Sequence, residues 1–239
     1  MRISLLVESV ARVGGAVYRE AMTKIPQDVA DLPYAHALEP GPSPLRRDWN
    51  YDLCHFESAD ERGTDAGSSR FTECAFESAQ FDTMRLRRAK FTDVWWRGSR
   101  VLSTDVAESE WLDATFISSA LAGIEAFNTQ LRRVVFQRCK LDAVNLRGAY
   151  LQDVVFEDCI LRDVDFAGAK LLEVKFPGSA LRGTKFDKAK LARVDLRDAT
   201  VVEVVDGYQN LRGSTIDSGQ AVELSADLAH ALGIKVEDH

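Results

Sequence analysis

Long apolar runs are missing from this 239-residue sequence, and with them any stretch near the roughly 18 uncharged apolar residues of a membrane helix. The N-terminal cluster Leu5-Leu6-Val7 is cut by Glu8 and Arg12, so a secretory signal also reads poorly and the default location is cytoplasmic. Cysteine is scarce: Cys54, Cys74, Cys139 and Cys159 show no CxxC spacing, which removes the common zinc modules. Histidine is equally sparse, and His36, His55, His230 and His239 fall in separate regions with no metal-ligand or triad spacing. No glycine-rich phosphate loop is present. Positive charge is not in excess either, since the net charge is −7, the wrong sign for a phosphate-binding surface. The clusters Arg85-Arg87-Arg88-Lys90 and Arg132-Arg133-Arg138-Lys140 sit among comparable acids and read as solvated faces. These absences leave no catalytic, cofactor or metal site to name, no direct nucleic-acid contact and no membrane contact; an enzyme stays only as a remote alternative.

What is present is a period of five. From Leu131 each fifth residue is large and apolar (Phe136, Leu141, Leu146, Leu151, Phe156 and onward to Leu196), and two places before each stands a small one, such as Val134, Cys139, Val144 or Ala149. Five matches neither the 3.6 of a helix nor the 2 of a flat strand. It fits a coil in which each five-residue unit is one side of a square, with about twenty residues per lap and laps about 4.8 Å apart. The large and small residues then face inward and the other three positions face water. Reading every twentieth residue gives wall columns, one of them Phe76, Trp96, Phe116, Phe136, Phe156 and Phe176, and another in which Val201 follows Leu181. The cysteines, all at the small inward position and in two pairs twenty apart, are predicted to be buried thiols.

Units such as Val164-Asp165-Phe166-Ala167-Gly168, Val144-Asn145-Leu146-Arg147-Gly148 and Val194-Asp195-Leu196-Arg197-Asp198 resemble the pentapeptide-repeat family, over about residues 71 to 216 in unbroken phase and more weakly back to Phe56. The resemblance implies an all-β solenoid, a right-handed quadrilateral β-helix whose repeat carries no chemistry of its own. Within that family the quinolone-resistance (Qnr-type) branch forms rod-shaped dimers thought to imitate DNA and bind DNA gyrase and topoisomerase IV, which would make antibiotic resistance the associated role.

In chain order, residues 1–48 carry no repeat phase, and Ile3 to Met22 suggest a loose amphipathic helix weakened by Gly14-Gly15. Pro33, Pro40, Pro42 and Pro44 follow as a linker. This region reads as partly disordered, as an arm lying against the first coil, or as an extension outside the structural unit. Residues 49–216 form the solenoid, regular from 71, and Glu57 to Arg70, with Glu61 where a core residue belongs, predict a protruding loop. The size reversal at 123–127 predicts a distorted coil, and 206–210 a break; both are candidate functional loops. Residues 217–239 predict a helical cap, with Asp217 or Ser218 and Ser225 as N-caps and Gly233 as a stop. A solenoid end must be covered, and Val222, Leu224, Leu228, Leu232 and Ile234 exceed what one short helix hides, so the cap doubles as a candidate homodimer contact.

Two surfaces are candidate partner sites. Glu73, Asp93, Asp113, Asp153 and Glu173 share one column, the arrangement a DNA mimic needs. Its magnitude is limited: seven laps span about 34 Å, a length over which duplex DNA carries about twenty negative charges. In this chain acids and bases cancel between residues 71 and 216, and the excess acid lies at the two ends. The second surface is an apolar patch of Trp95, Leu102, Leu112, Ile117 and Phe127, all at outward positions, with Leu172 further along. Together these predict a non-enzymatic, rigid protein-interaction scaffold. The resemblance gives gyrase or topoisomerase IV as its specific partner; the alternative is an unrelated protein.

Overall fold

The computed structural model of the protein describes residues 25–237; the expected helix from Ile3 to Met22, and His239, lie outside them. From Asp48 to Arg193 every fifth residue has a left-handed backbone with φ between 46° and 67°, thirty corners in succession. One such residue turns an extended segment sharply, so one in five closes the chain into a four-sided lap. An L residue there costs about 1–2 kcal/mol, and glycine much less. The corners are accordingly rich in Asp, Ser and Gly, yet Glu73, Arg133, Lys188 and even the β-branched Thr83 occupy them. Backbone pairing offsets the cost: corner N–H groups donate to the lap above, as from Ser78 to Arg97 O at 2.8 Å and from Thr83 to Leu102 O at 3.0 Å.

Four walls result. Wall 1 stacks Arg70–Thr72, Lys90–Thr92 and Glu110–Leu112; wall 2 stacks Ala75–Glu77, Trp95–Arg97 and Thr115–Ile117; wall 3 stacks Gln80–Asp82, Arg100–Leu102 and Ala120–Ala122. Wall 4 is a line of single parallel bridges, Arg85 to Asp105 to Glu125 to Asn145. The pairings are parallel and, within the regular laps, offset by one lap, for example Phe116 with Phe136 and Leu121 with Leu141. The interior rings follow: Phe136 stacks on Phe156 at 4.9 Å and Phe156 on Phe176 at 5.1 Å, each pair within 5° of parallel. Parallel rings at this separation lie in the offset-stacked range that aromatic pairs prefer, and the strand spacing repeats the contact from lap to lap. The thiols stand among them as free cysteines, three buried and Cys54 half-buried, and burial pushes the Cys74 thiol up to about 12.

The expected loop at 57–70 is instead an ordinary part of the first lap. We label its strands with the arm strand before them: β1 (Glu39–Pro40), β2 (Asn50–Asp52), β3 (Cys54–Glu57) and β4 (Asp60–Arg62). Strand β4 pairs with Gln80–Asp82, which puts Glu61 beneath Phe81, 3% exposed. Its carboxylate accepts from Ser43 Oγ at 2.8 Å, Leu45 N at 3.0 Å and Thr64 Oγ1 at 2.8 Å. A buried charge is tolerated when its oxygens are hydrogen-bonded; two of these donors, Ser43 and Leu45, come from the incoming chain closing the rod's lower end. The arm then climbs wall 2. β1 pairs with β3, short 3-10 turns occupy Val29–Asp31 and Ala35–Ala37, and Trp95 Nε1 donates to Pro26 O at 3.0 Å.

Two irregularities differ from expectation. At 123–127 the corners stay regular, and Ile124 and Ala126 both face inward, 3% and 5% exposed. The size reversal does not distort the coil; it contributes to a wholly apolar cavity of about 60 Å³ lined by Trp96, Val101, Val106, Ile124, Ala126 and neighbours. Near the upper end one extra residue enters the lap. Ala180 pairs with Val201 and Leu181 with Val202, so Val202, not Val201, continues the Leu181 column. The break at 206–210 is real: Gly207 has φ 89° and sits so close to Phe186 that a Cβ would fall 2.3 Å from its carbonyl carbon. Two helices close this end, α1 (Ser218–Glu223), capped by Asp217 in a capping box with Gln220, and α2 (Ser225–Ala231). Gln220 Nε2 donates to Leu196 O at 2.6 Å and Ala199 O at 3.1 Å, satisfying carbonyls that no further lap covers.

Candidate functional site

Residues twenty apart occupy equivalent places on successive laps, and the acidic candidates are the clearest case. Glu73, Asp93, Asp113, Asp153 and Glu173 are all corner residues between walls 1 and 2, with φ between 50° and 56°. The same corner also holds Arg133 and Arg193. Arg133 clamps Asp113 through Nε–Oδ1 at 2.6 Å and Nη2–Oδ2 at 2.7 Å, the bidentate geometry in which a guanidinium pairs most strongly. Arg193 reaches Glu173 at 2.7 Å. Glu73 and Asp93 therefore stand at the end remote from Arg193, below the Asp113 clamp.

Crowding shows in the protonation of these acids. Partial burial, then repulsion from Asp113 and Glu73, holds the Asp93 carboxyl above its ordinary range. Burial and a hydrogen bond with Glu173 likewise raise Asp153, while that hydrogen bond and Arg193 hold Glu173 below its ordinary range. Adjacent like charges disfavour ionisation, and Asp93 and Asp153 bear that cost.

The predicted apolar patch does not exist. Leu102 lies on wall 3, Leu112 on wall 1 and Phe127 on wall 4, all half-buried, while Trp95 and Ile117 lie on wall 2. Outward residues form a patch only when they share a wall, and these five occupy all four. Nor do Trp95 and Ile117 face water: each is 1% exposed, packed with Leu32 and Tyr34 of the arm and with Ala75. Phe127 has the Arg87 guanidinium 5.1 Å from its ring centroid. The arm is also tied by charge and amide contacts, Arg97 to Asp28 at 3.0 Å and Gln27 Nε2 to Gln137 Oε1 at 2.8 Å.

The cap residues divide in two. Leu224 is 4% exposed against the last lap and Leu228 is half-buried, whereas Val222, Leu232, Ile234 and Val236 are 75%, 75%, 55% and 67% exposed. A short two-helix lid buries one face and turns the other outward. Among the described residues no group of three or more His, Cys, Asp or Glu is arranged to hold a metal ion, and no helix is long and apolar enough to cross a membrane.

Residues 129–205 match the family model described as a pentapeptide repeat region. No curated protein matches the chain. Among solved structures, a trypsin-treated variant of QnrB1, a plasmid-mediated fluoroquinolone resistance protein, is 11% identical, with 79% of this chain and 100% of that chain covered and a TM-score of 0.40. HetL, a pentapeptide repeat protein involved in heterocyst differentiation regulation from the cyanobacterium Nostoc sp. strain PCC 7120, is 16% identical, with 81% and 99% covered and a TM-score of 0.29. A pentapeptide repeat protein from the Arabidopsis thaliana thylakoid lumen is 18% identical, with 68% and 75% covered and a TM-score of 0.15. The chain thus carries a pentapeptide repeat region over residues 129–205, and the same corners and inward columns continue lap by lap on either side of it.

Proposed function

We propose that the protein is a non-enzymatic, rigid interaction rod that acts through its outer surface on a protein partner. The observation that carries this is the interior of the described residues: inward columns of stacked rings and aliphatic side chains around a small, wholly apolar cavity. Such a rod offers a partner fixed walls and corners that lose little entropy on binding.

The specific partner suggested by the family resemblance is DNA gyrase or topoisomerase IV, met by local imitation of DNA at the acidic corner. Arg133 clamps Asp113 and Arg193 clamps Glu173, so contact would centre on the remaining carboxylates of the corner, Glu73, Asp93 and Asp153. The two clamps favour a second reading, an unrelated protein partner, because a corner with Asp113 and Glu173 paired to arginines lacks the unbroken charge of a duplex. Purified protein added to a gyrase supercoiling assay separates the two. The gyrase reading expects a change in supercoiling or in its inhibition by a quinolone, lost in Glu73→Lys/Asp153→Lys. No effect at any concentration removes gyrase and leaves the unrelated partner.

The rod is further proposed to pair with a second copy through the outward half of the cap, Val222, Leu232 and Ile234, extended by Val236. Four exposed apolar residues on one short lid are more than a solvated end needs.

A further inference from the structure

The lower end of the rod is closed less completely than the upper. In the laps above, each wall is paired on both sides: Ser58 N–H bonds Glu77 O at 2.7 Å, Gly63 N–H bonds Asp82 O at 2.9 Å and Gln80 N–H bonds Ala59 O at 2.7 Å. The equivalent groups of the first lap, Glu57 C=O, Asp60 N–H and Arg62 C=O, have no backbone partner among the described residues. β1 runs beside β3 only through Glu39 and Pro40, and the chain leaves the edge once Gly41 N–H has bonded His55 O at 2.7 Å. Beyond that departure lies a groove of about 440 Å³ between residues 38–43 and 55–59. Leu38, Pro40, Phe56 and Ala59 form its apolar part and Glu39, Ser43, His55 and Glu57 its polar part.

Charge at this end is mostly negative, although Arg47 of the incoming arm holds Asp65 at 3.2 Å. Residues 49–68 contain Asp52, Glu57, Asp60, Glu61 and Asp65 against the single base Arg62. Arg62 is already turned onto Asp60, at 3.0 Å. Glu57 and Glu39 are exposed and make no ion pair among the described residues. His55 Nε2 is buried without a hydrogen-bond partner, its nearest acid being Glu77 at 3.5 Å. A second copy is a poor occupant, because its own lower end is equally acidic and its upper end is covered by α1 and α2.

We propose that this open edge and its groove form a docking site for an extended basic segment of another protein. The segment adds as a short strand along Asp60–Arg62, its backbone pairing with Asp60 N–H and the Arg62 carbonyl, and reaches the groove at the Ser58 corner. Its alternate Lys or Arg side chains face Glu39 and Glu57, and its intervening apolar side chains lie on Leu38, Pro40 and Phe56. Main-chain bonds to a free edge supply affinity and alternate side chains supply selectivity. The acidic rim that repels like edges attracts this one. The site is separate from the acidic corner and does not depend on gyrase being a partner.

The test uses the full chain and a fluorescein-labelled heptapeptide of alternating lysine and valine. The expected result is saturable binding, hydrogen exchange at the Asp60 amide slowed at least tenfold by the peptide, and affinity lowered at least tenfold in Glu57→Lys or, should that variant fold poorly, in Glu39→Lys. A heptapeptide of alternating glutamate and valine should not bind, and one with proline in place of valine should lose the protection of Asp60. No binding of the lysine peptide overturns the proposal. So does binding that leaves Asp60 exchange unchanged, equal binding of the acidic peptide, or full affinity in both charge-reversed variants.

Discussion

Tyr34 donates its hydroxyl to the backbone carbonyl of Asp93 at 2.8 Å, joining the arm to a corner 59 positions further along the chain. The contact sets the edge of the arm against the crowded acids Glu73, Asp93 and Asp113. Asp93 is held above its ordinary range by partial burial first and by its acidic neighbours next. A carboxyl raised in the folded state makes the charged form the disfavoured one. The fold therefore bears the cost above the raised value and sheds it as pH falls toward the ordinary range. Asp93→Asn should stabilise the protein at pH 7, and the difference from wild type should close below about pH 4, the ordinary range of an aspartate. Urea midpoints of both proteins at the two pH values check this; a difference that does not change with pH would sink it.

Thr83 is a β-branched residue at a corner, with φ 53°. Such a residue is strained there, and glycine relieves about 1–2 kcal/mol at a cost of about 0.5–1 kcal/mol in unfolded-chain entropy. Thr83→Gly should therefore raise stability by about 0.5–1 kcal/mol, read as a higher thermal midpoint. Lower stability would show that the local pairing prefers the threonine.

The cavity at mid-rod predicts a second gain. Ala126 stands between Val106 and Leu146 in its column, beside about 60 Å³ of apolar void. At roughly 24 cal/mol per Å³ such a void costs about 1.4 kcal/mol, and Ala126→Val should recover part of it, about 1 kcal/mol. A higher urea midpoint at unchanged slope is the expected reading; a lower one would mean that the wall cannot accept the added methyls.

The outward half of the cap predicts the oligomeric state. Wild type should elute from size exclusion as a dimer and Leu232→Glu as a monomer of unchanged thermal midpoint, since Leu232 is 75% exposed. A monomeric wild type removes the dimer.

Much of this was legible in the sequence because one number, five, governs both the inward columns and the corners. The pile Phe136, Phe156, Phe176 could be written down before any coordinate. What stayed hidden depends on contacts between segments out of phase. Glu61 looks wrong in a core column until Ser43 and Leu45 arrive from the arm as its donors. Trp95 and Ile117 look exposed until the same arm covers them. Here a signal was present: counted in twenties, both fall on wall 2, beside Ala75 and Val135, a run of outward apolar residues on one wall that calls for a cover. Leu102, Leu112 and Phe127 fall on the other three. The Val202 register depends on a single added residue with no motif to mark it.

The unbroken succession of left-handed corners also makes the rod a ruler with a fixed graduation. Duplicating twenty residues between Asp48 and Arg193 would lengthen it by one tier and leave every surface above facing its former direction. Duplicating five would rotate all that follows by a quarter turn and carry Glu173 and Arg193 away from Asp93. The lone additional residue lies past the last of these corners, where only the final partial lap and the lid remain to be re-aimed.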